Sequence, residues 1–257
     1  MPPSAVLSGA TRSPPTPRMW LEPRTATATA GSKDHIAPDL TKNRMKVCVF
    51  GGTGATGGNV IRAAMSQGCD VIAFARRPEI LRSRFPGIQV VPGDVFKPES
   101  IGAAVVDSDA VISTLGPVGR ARKTTIYSEG VLNIAKAMRG LGKRRLIACA
   151  SLIALDPHPD ASMPAVAFAR LILIPVLGYQ YRDAAKMKEE LLQVEDLDWS
   201  LVGLPRLTNG NAAGRYRSSV GTPLHHPSAI SRADLATYLV SIIDDAATYR
   251  QWTEVSW

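Results

Sequence analysis

Apolar periodicity is nearly absent over the first forty-four residues and then sets in sharply at Met45. Lys46–Phe50, Asp70–Ala75, Ile88–Val91, Ala110–Thr114 and Arg145–Ala150 are short, almost continuous apolar runs. Runs of this kind predict parallel strands buried on both faces. The stretches between them change period. Residues 57–67 place Val60, Ala63, Ala64 and Gln67 on related turns, Pro98–Val106 reads as a short helix, and residues 124–140 set Val131, Ile134, Ala135 and Met138 at i, i+3, i+4 and i+7. Strand–helix alternation of this regularity predicts an α/β fold, a Rossmann-type doubly wound parallel sheet with right-handed crossovers. Beyond residue 150 the pattern loosens into a small C-terminal substrate-binding region. Residues 165–178 are apolar but interrupted by Arg170 and Pro175, residues 183–195 read as a charged helix, and Trp199–Gly203 reads as a strand. Residues 205–229 are loop-rich. Ser231 with Asp234 marks a helix start that Leu235, Tyr238, Leu239 and Ile242 continue, and Thr253–Ser256 closes the chain as a last strand.

Composition narrows the class. A chain of 257 residues suits one α/β domain with appendages, and 45% hydrophobic against 20% charged residues excludes wholesale disorder. The run of apolar residues needed for a transmembrane span is missing, so stable membrane insertion is not expected. Cys48, Cys69 and Cys149 lie far apart with no Cys-x-x-Cys pair, which argues against a disulfide scaffold or a zinc cluster and fits a reducing, cytoplasmic setting. Seven prolines with many Ser, Thr and Ala make residues 1–44 a disordered N-terminal extension, a transit peptide being the alternative, and leave residues 45–257 as the single domain. The formal charge is +8; beyond residue 44 it comes from 24 basic against 19 acidic residues, without a long basic block. A pocket for a small anion explains that excess, and nucleic acid is not an expected partner.

The sharpest chemical signal is Val49-Phe-Gly-Gly-Thr-Gly-Ala-Thr-Gly-Gly58. Gly51, Gly54 and Gly57 recur every third residue, and Gly52 adds a Gly-x-Gly-x-x-Gly pattern. The motif follows a predicted strand and opens a predicted helix, which is the context that gives it meaning. Glycine is needed for the tight turn, for close backbone approach to a pyrophosphate, and for packing of the helix on the sheet. The helix N-terminus then offers unpaired N–H groups and partial positive charge to the phosphates. At the end of the second strand NAD-binding folds usually carry an acid for the ribose hydroxyls, whereas this chain reads Ala75-Arg76-Arg77-Pro78. Two guanidinium groups suit a 2′-phosphate, so NADP(H) is the expected cofactor. Gly93-Asp94-Val95 follows the third strand, where adenine would lie, with Asp94 either binding its amine or capping the next turn. Ser113-Thr-Leu115-Gly116-Pro117 follows the fourth, on the ribose and nicotinamide side.

Taken with Thr124-Thr-Ile-Tyr-Ser-Glu-Gly-Val-Leu-Asn-Ile-Ala135, Ala148-Cys-Ala-Ser151 and Ile230-Ser-Arg-Ala-Asp-Leu235, these motifs give residues 45–256 a resemblance to the atypical short-chain dehydrogenases. The chain looks most like the flavin reductase/biliverdin-IXβ reductase type, with the wider NmrA-like NAD(P)H-binding group behind it. The resemblance implies an NADPH-linked reductase. It assigns Gly51, Thr53, Gly54, Ala55 and Thr56 to the pyrophosphate loop beside Gly52 and Gly57, Arg76 to the 2′-phosphate, and Asp94 and Val95 to adenine. Leu115 and Gly116 would border the cofactor, with Cys149 and Ser151 near the nicotinamide. Arg77 departs from the reductase pattern, which has an acid there, so its role rests on charge alone.

The Tyr-x-x-x-Lys pair of typical short-chain dehydrogenases is missing. Tyr181 and Lys186 are five apart, about 140° around a helix, and Tyr181 and Asp183 fit a loop as well. The expected function is therefore an NADPH-dependent oxidoreductase passing hydride to a planar conjugated acceptor such as a flavin or quinone, with solvent supplying the proton and Ser151 orienting the reactants. The alternative is a non-catalytic NADP(H)-binding redox sensor. His158, His225 and His226 read as loop histidines and no metal is expected. Residues 164–181 read as the wall or lid of an apolar acceptor pocket or, alternatively, as a dimer surface, the chain being a monomer or homodimer.

Overall fold

A computed structural model describes residues 44–117, 124–151 and 162–257. The expected N-terminal extension, Arg44 apart, and His158 lie outside the described residues. The order of elements follows the hydrophobic pattern closely in the first half: β1 (Lys46–Phe50), α1 (Ala55–Ser66), β2 (Asp70–Ala75), α2 (Pro78–Arg84), β3 (Gln89–Pro92), a 3-10 turn (Pro98–Ser100) leading into α3 (Gly102–Val105), β4 (Ala110–Ser113), α4 (Leu132–Gly140) and β5 (Arg145–Ser151). Then come α5 (Met163–Phe168), α6 (Ile174–Leu192), β6 (Asp198–Leu204), β7 (Arg206–Thr208), β8 (Arg217–Val220), β9 (Ala229–Ser231), α7 (Arg232–Ser241) and β10 (Gln251–Ser256).

Eight strands make one sheet in the order β3-β2-β1-β4-β5-β6-β10-β8, and β7 pairs with β9 in a second, two-stranded sheet. All neighbours in the large sheet run parallel except β10 and β8. The first six positions follow the doubly wound order, in which the chain reverses its direction of travel after β3 and leaves a crevice beyond the carboxyl ends of β1 and β4.

Strand side chains divide strictly by parity. Val47, Val49, Ile147 and Cys149 point into a core closed by α1, α2 and α7, while Cys48, Phe50, Leu146 and Ala148 point into a core closed by α3, α4 and α6. Burial on both faces explains why these strands read as unbroken apolar runs. Ser231 caps α7 as expected, its hydroxyl accepting the Asp234 N–H at 2.9 Å.

Three departures from the sequence expectation have physical causes. The helix expected over 124–140 opens with a π-type turn (Ile126–Val131) before α4 begins. The charged helix starts at Ile174 rather than at 183, so Tyr181 and Asp183 are mid-helix and not in a loop. Pro175 and Gly178 disguise it. Pro175 has no N–H to give to the preceding turn, and the backbone before it widens into a second π-type turn at Ala169–Leu173. Finally, 205–229 contains the short strands β7 and β8, whose mostly polar residues carry little strand signal. Another element that the pattern missed, α2, begins with Pro78 at its first position, where the missing N–H is harmless.

Candidate functional site

Between β1 and α1 the chain turns through Gly51, whose φ of +84° lies in the left-handed region that favours glycine. The Gly54 N–H closes the turn on the Gly51 carbonyl at 2.9 Å. The loop is pressed against the exit of β4, where Thr114 donates both its N–H and its hydroxyl to the Phe50 carbonyl at 3.0 Å. A Cβ on Gly51 would stand 2.8 Å from the Thr114 carbonyl oxygen. One on Gly57 would overlap the Gly51 carbonyl oxygen and sit 2.7 Å from the Thr114 hydroxyl, and one on Gly52 would meet Ile61 Cδ1 at 2.8 Å. No side chain caps α1, and its first turn carries no acid. The Gly58 N–H is the first to find a helical acceptor, the Gly54 carbonyl at 2.9 Å. The N–H groups of Ala55, Thr56 and Gly57 therefore point out of the helix end without intrahelical partners. This geometry fits an anionic diphosphate: bare backbone donors, the positive end of a helix, and no side chain in the way.

The loop opens on a cleft of about 360 Å³ that runs from the end of β2 to the π-type turn before α4. Of the residues expected from sequence, Gly51, Thr53, Gly54, Arg76, Asp94, Val95, Leu115 and Gly116 line it. Gly52 and Gly57 are buried behind it, and Ala55 and Thr56 form the first turn of α1. Arg77 holds the cap position before α2, exposed and away from the cleft wall. Asp94 meets the second of its two expected alternatives, bracing the next turn, from a position on the cleft wall. Its carboxylate accepts the Phe96 N–H at 3.1 Å.

Thr114 and Pro117, within the segment expected after β4, also line the wall, whereas sequence reasoning missed Phe74 and Phe96 there. Phe74 leans on Phe50 with ring centroids 4.8 Å apart, and it fills the space that a Cβ on Gly93 would need. That steric demand is why Gly93 precedes Asp94. Phe96 is 43% exposed in the cleft, an apolar surface beside Arg76 and Asp94.

At the far end the arrangement differs more from expectation. Cys149 is 4% exposed among core side chains, and burial pushes its thiol up to about 12. It is a packing residue and does not line the cleft. Ser151 ends β5 half-buried, paired with Leu204 and outside the cleft lining. The residue that does approach is Tyr127. A Cβ on Gly116 would sit 3.5 Å from its hydroxyl. Burial, with Cys149, Asp183 and Tyr181 nearby, pushes that hydroxyl up to about 12, so it stays a neutral donor at ordinary pH.

Asp183 fixes the turn that carries Tyr127. Its buried carboxylate accepts the Tyr127 N–H at 2.9 Å, the Ser128 N–H at 3.1 Å and the Ser128 hydroxyl. An acid on α6 thus caps a helix start fifty-six residues away in sequence. Local spacing cannot reveal such a pairing. Tyr181 and Lys186 sit on the continuous helix α6, Tyr181 half-buried with its hydroxyl pushed up by burial and Lys186 exposed, so they diverge as the five-residue spacing requires.

The apolar stretch does not wall the cleft. Met163, Phe168, Leu171, Ile172, Ile174, Val176 and Tyr179 are all exposed, Met163 to 80% and Leu171 to 73%. His225 and His226 lie in the loop between β8 and β9, as expected. Among the described residues no cluster of His, Cys, Asp and Glu is arranged to hold a metal, and no helix is long and apolar enough to cross a membrane.

Comparison with known proteins agrees with the glycine loop. A family model described as NAD(P)H-binding matches residues 51–246. Among curated proteins, the photosystem II assembly factor Ycf39 of Synechocystis is 32% identical over 108 residues, which is 40% of this chain and 32% of the relative. The chain spans about a third of the length of the curated relatives it matches. Among solved structures, ChuY, an anaerobillin reductase from Escherichia coli O157:H7, superposes with a TM-score of 0.65 at 19% identity, covering 82% of this chain and 97% of its own. A wide-type short-chain dehydrogenase/reductase from Veillonella parvula, solved in complex with NADP, gives a TM-score of 0.66 at 15% identity, covering 83% and 94%. At these identities the two structures share the fold.

Proposed function

The chain belongs to the NAD(P)H-binding family, and from that premise we propose that it is an NADPH-dependent reductase acting on a planar conjugated acceptor such as a flavin or quinone. The observation that carries this reading is the uncapped, glycine-lined start of α1 opening on a cleft whose β2 end presents Arg76 and no acid. When bound, the dinucleotide supplies the hydride.

The rest is work for the chain's own residues. The N–H groups of Ala55, Thr56 and Gly57 hold the diphosphate, Arg76 takes the 2′-phosphate, and Asp94, Val95 and Phe96 flank the adenine side. Leu115 and Gly116 border the nicotinamide side, where the neutral Tyr127 hydroxyl donates a hydrogen bond and Ser151 orients the acceptor. A planar acceptor needs no tyrosine–lysine proton relay, which agrees with the divergence of Tyr181 and Lys186 on α6.

Arg76→Ala is expected to weaken NADPH binding about thirtyfold, the scale of one lost charge-assisted contact, while changing NADH binding less than about threefold. Fluorescence titration with both nucleotides checks it; equal losses remove the phosphate assignment. The function itself is tested by following NADPH oxidation across flavins, quinones and aldehydes. Tight NADPH binding with no turnover on any acceptor sinks the reductase reading.

A second reading, a non-catalytic NADP(H)-binding sensor that reports to a protein partner, is favoured by the exposed apolar face of α5 and α6 and by a relative whose name is that of an assembly factor. Equal affinity for the oxidised and reduced nucleotide, without hydride loss, supports it.

A further inference from the structure

A second concavity, of about 490 Å³, opens beside the C-terminal ends of the strands and is lined by Ala213, Arg215, Tyr216, Arg217 and Trp257. We propose that it is a subsite for the anionic end of a planar aromatic acceptor. The lining combines two guanidinium groups with two aromatic rings and contains no Asp or Glu side chain. Each wall is braced from behind. The Trp257 indole N–H donates to the Asp234 carboxylate at 2.9 Å, and the same carboxylate accepts the N–H groups of Ala213 and Gly214, both at 2.9 Å. Asp234 is 1% exposed and occupied by these donors, so it holds the loop without facing the cavity. Tyr216 stands edge-on to the buried ring of Tyr238, centroids 5.7 Å apart. Arg217 spends its guanidinium on the main-chain oxygens of His225, His226 and Trp257. Arg215 is different: it makes no hydrogen bond or ion pair among the described residues, so its charge stands free at the cavity.

A free guanidinium beside ordered aromatic walls matches one ligand chemistry, a flat ring system bearing a phosphate or carboxylate. The sheet register places the cavity at a useful distance. Ser151 pairs with Leu204, Gly203 with Glu254, and Ser256 with Arg217. Ser151 and Arg217 therefore leave the same edge of the sheet at nearly the same level, three strand spacings or about 14 Å apart. An acceptor ring by β5, a placement that rests on the reductase reading, and Arg215, two residues before Arg217, therefore lie along the same edge of the sheet.

The test compares FMN with riboflavin, which differ only in the phosphate. Isothermal titration calorimetry is run on the full chain saturated with NADP+, so that the phosphate cannot occupy the glycine loop. FMN is expected to bind at least tenfold more tightly than riboflavin. Arg215→Ala should bring FMN down to the riboflavin level while leaving riboflavin and NADP+ affinities unchanged, and Arg215→Lys should keep most of the preference. No heat with either flavin, equal affinities in the unaltered protein, or an FMN affinity indifferent to Arg215→Ala overturns the subsite. Turnover is followed in parallel. A calorimetric preference without FMN reduction counts against the reductase reading and leaves the subsite standing, whereas reduction without the preference counts against the subsite alone.

Discussion

Replacing Gly57 with alanine is expected to weaken NADP(H) binding more than a hundredfold and to destabilise the fold by about 1–3 kcal/mol, the usual range for an overpacked site. The added methyl has nowhere to go. It would overlap the Gly51 carbonyl oxygen and press to 2.7 Å on the Thr114 hydroxyl. Neither neighbour is a flexible side-chain end. The Gly51 carbonyl closes the turn with the Gly54 N–H, and the Thr114 hydroxyl is tied to the Phe50 carbonyl. The turn must shift, and with it the three free N–H groups of the helix end. Gly102→Ala is the control, because a Cβ there meets nothing within 4 Å. Nucleotide titration and thermal melting of both variants separate the effects. An unaltered nucleotide affinity in a folded Gly57→Ala protein would remove the loop from the binding site.

Arg145→Met is expected to cost about 3–5 kcal/mol of stability, the scale for stripping a buried charge from its partners, and to lower the melting temperature by about 10 °C. Arg145 opens β5 at 6% exposure and knits three segments together. Its guanidinium donates to the carbonyls of Ile242, Ile243 and Asp198 and to the hydroxyls of Ser200 and Thr248, and it lies 4.6 Å over the Tyr249 ring. Burial pulls its pKa down to about 10, which still leaves it charged at neutral pH. Methionine fills the stem but leaves five acceptors without their donor. Arg145→Lys should fall between, because one ammonium cannot reach all five. Urea denaturation measures both. Since Arg145 starts β5, at the opposite end of the parallel strands from the glycine loop and from Ser151, the folded fraction of either variant should bind NADPH normally.

How much of this was legible beforehand depends on whether a signal was local. The parallel strands were legible because burial on both faces writes itself as continuous apolar sequence, and the turn after β1 because only glycine tolerates its geometry. The places of Arg76 and Asp94 on the cleft wall were legible because each follows the end of a parallel strand. What escaped was whatever depends on distant segments meeting. Asp183 caps the Tyr127 turn from another helix, and nothing near either residue announces it. That cap brings the Tyr127 hydroxyl beside Gly116 at the edge of the cleft. Cys149 sits near a plausible strand end, yet β5 is buried on both faces and its alternation turns the thiol into the core beneath α1 and α7. The helix around Pro175 was hidden because proline and glycine interrupt a pattern that the backbone accommodates with a wider turn. Strand β8 was hidden because an edge strand of polar residues has little apolar period to read.

The core thiols have one more implication. Cys48 is fully buried in β1 and Cys149 nearly so in β5, and burial drives both thiols far from the anionic form that reacts. Cys69, only half-buried just before β2, is the accessible one. An alkylating reagent applied to the native protein therefore modifies Cys69 first, and the labelling of the other two keeps time with opening of the sheet, so that the molecule carries its own unfolding clock.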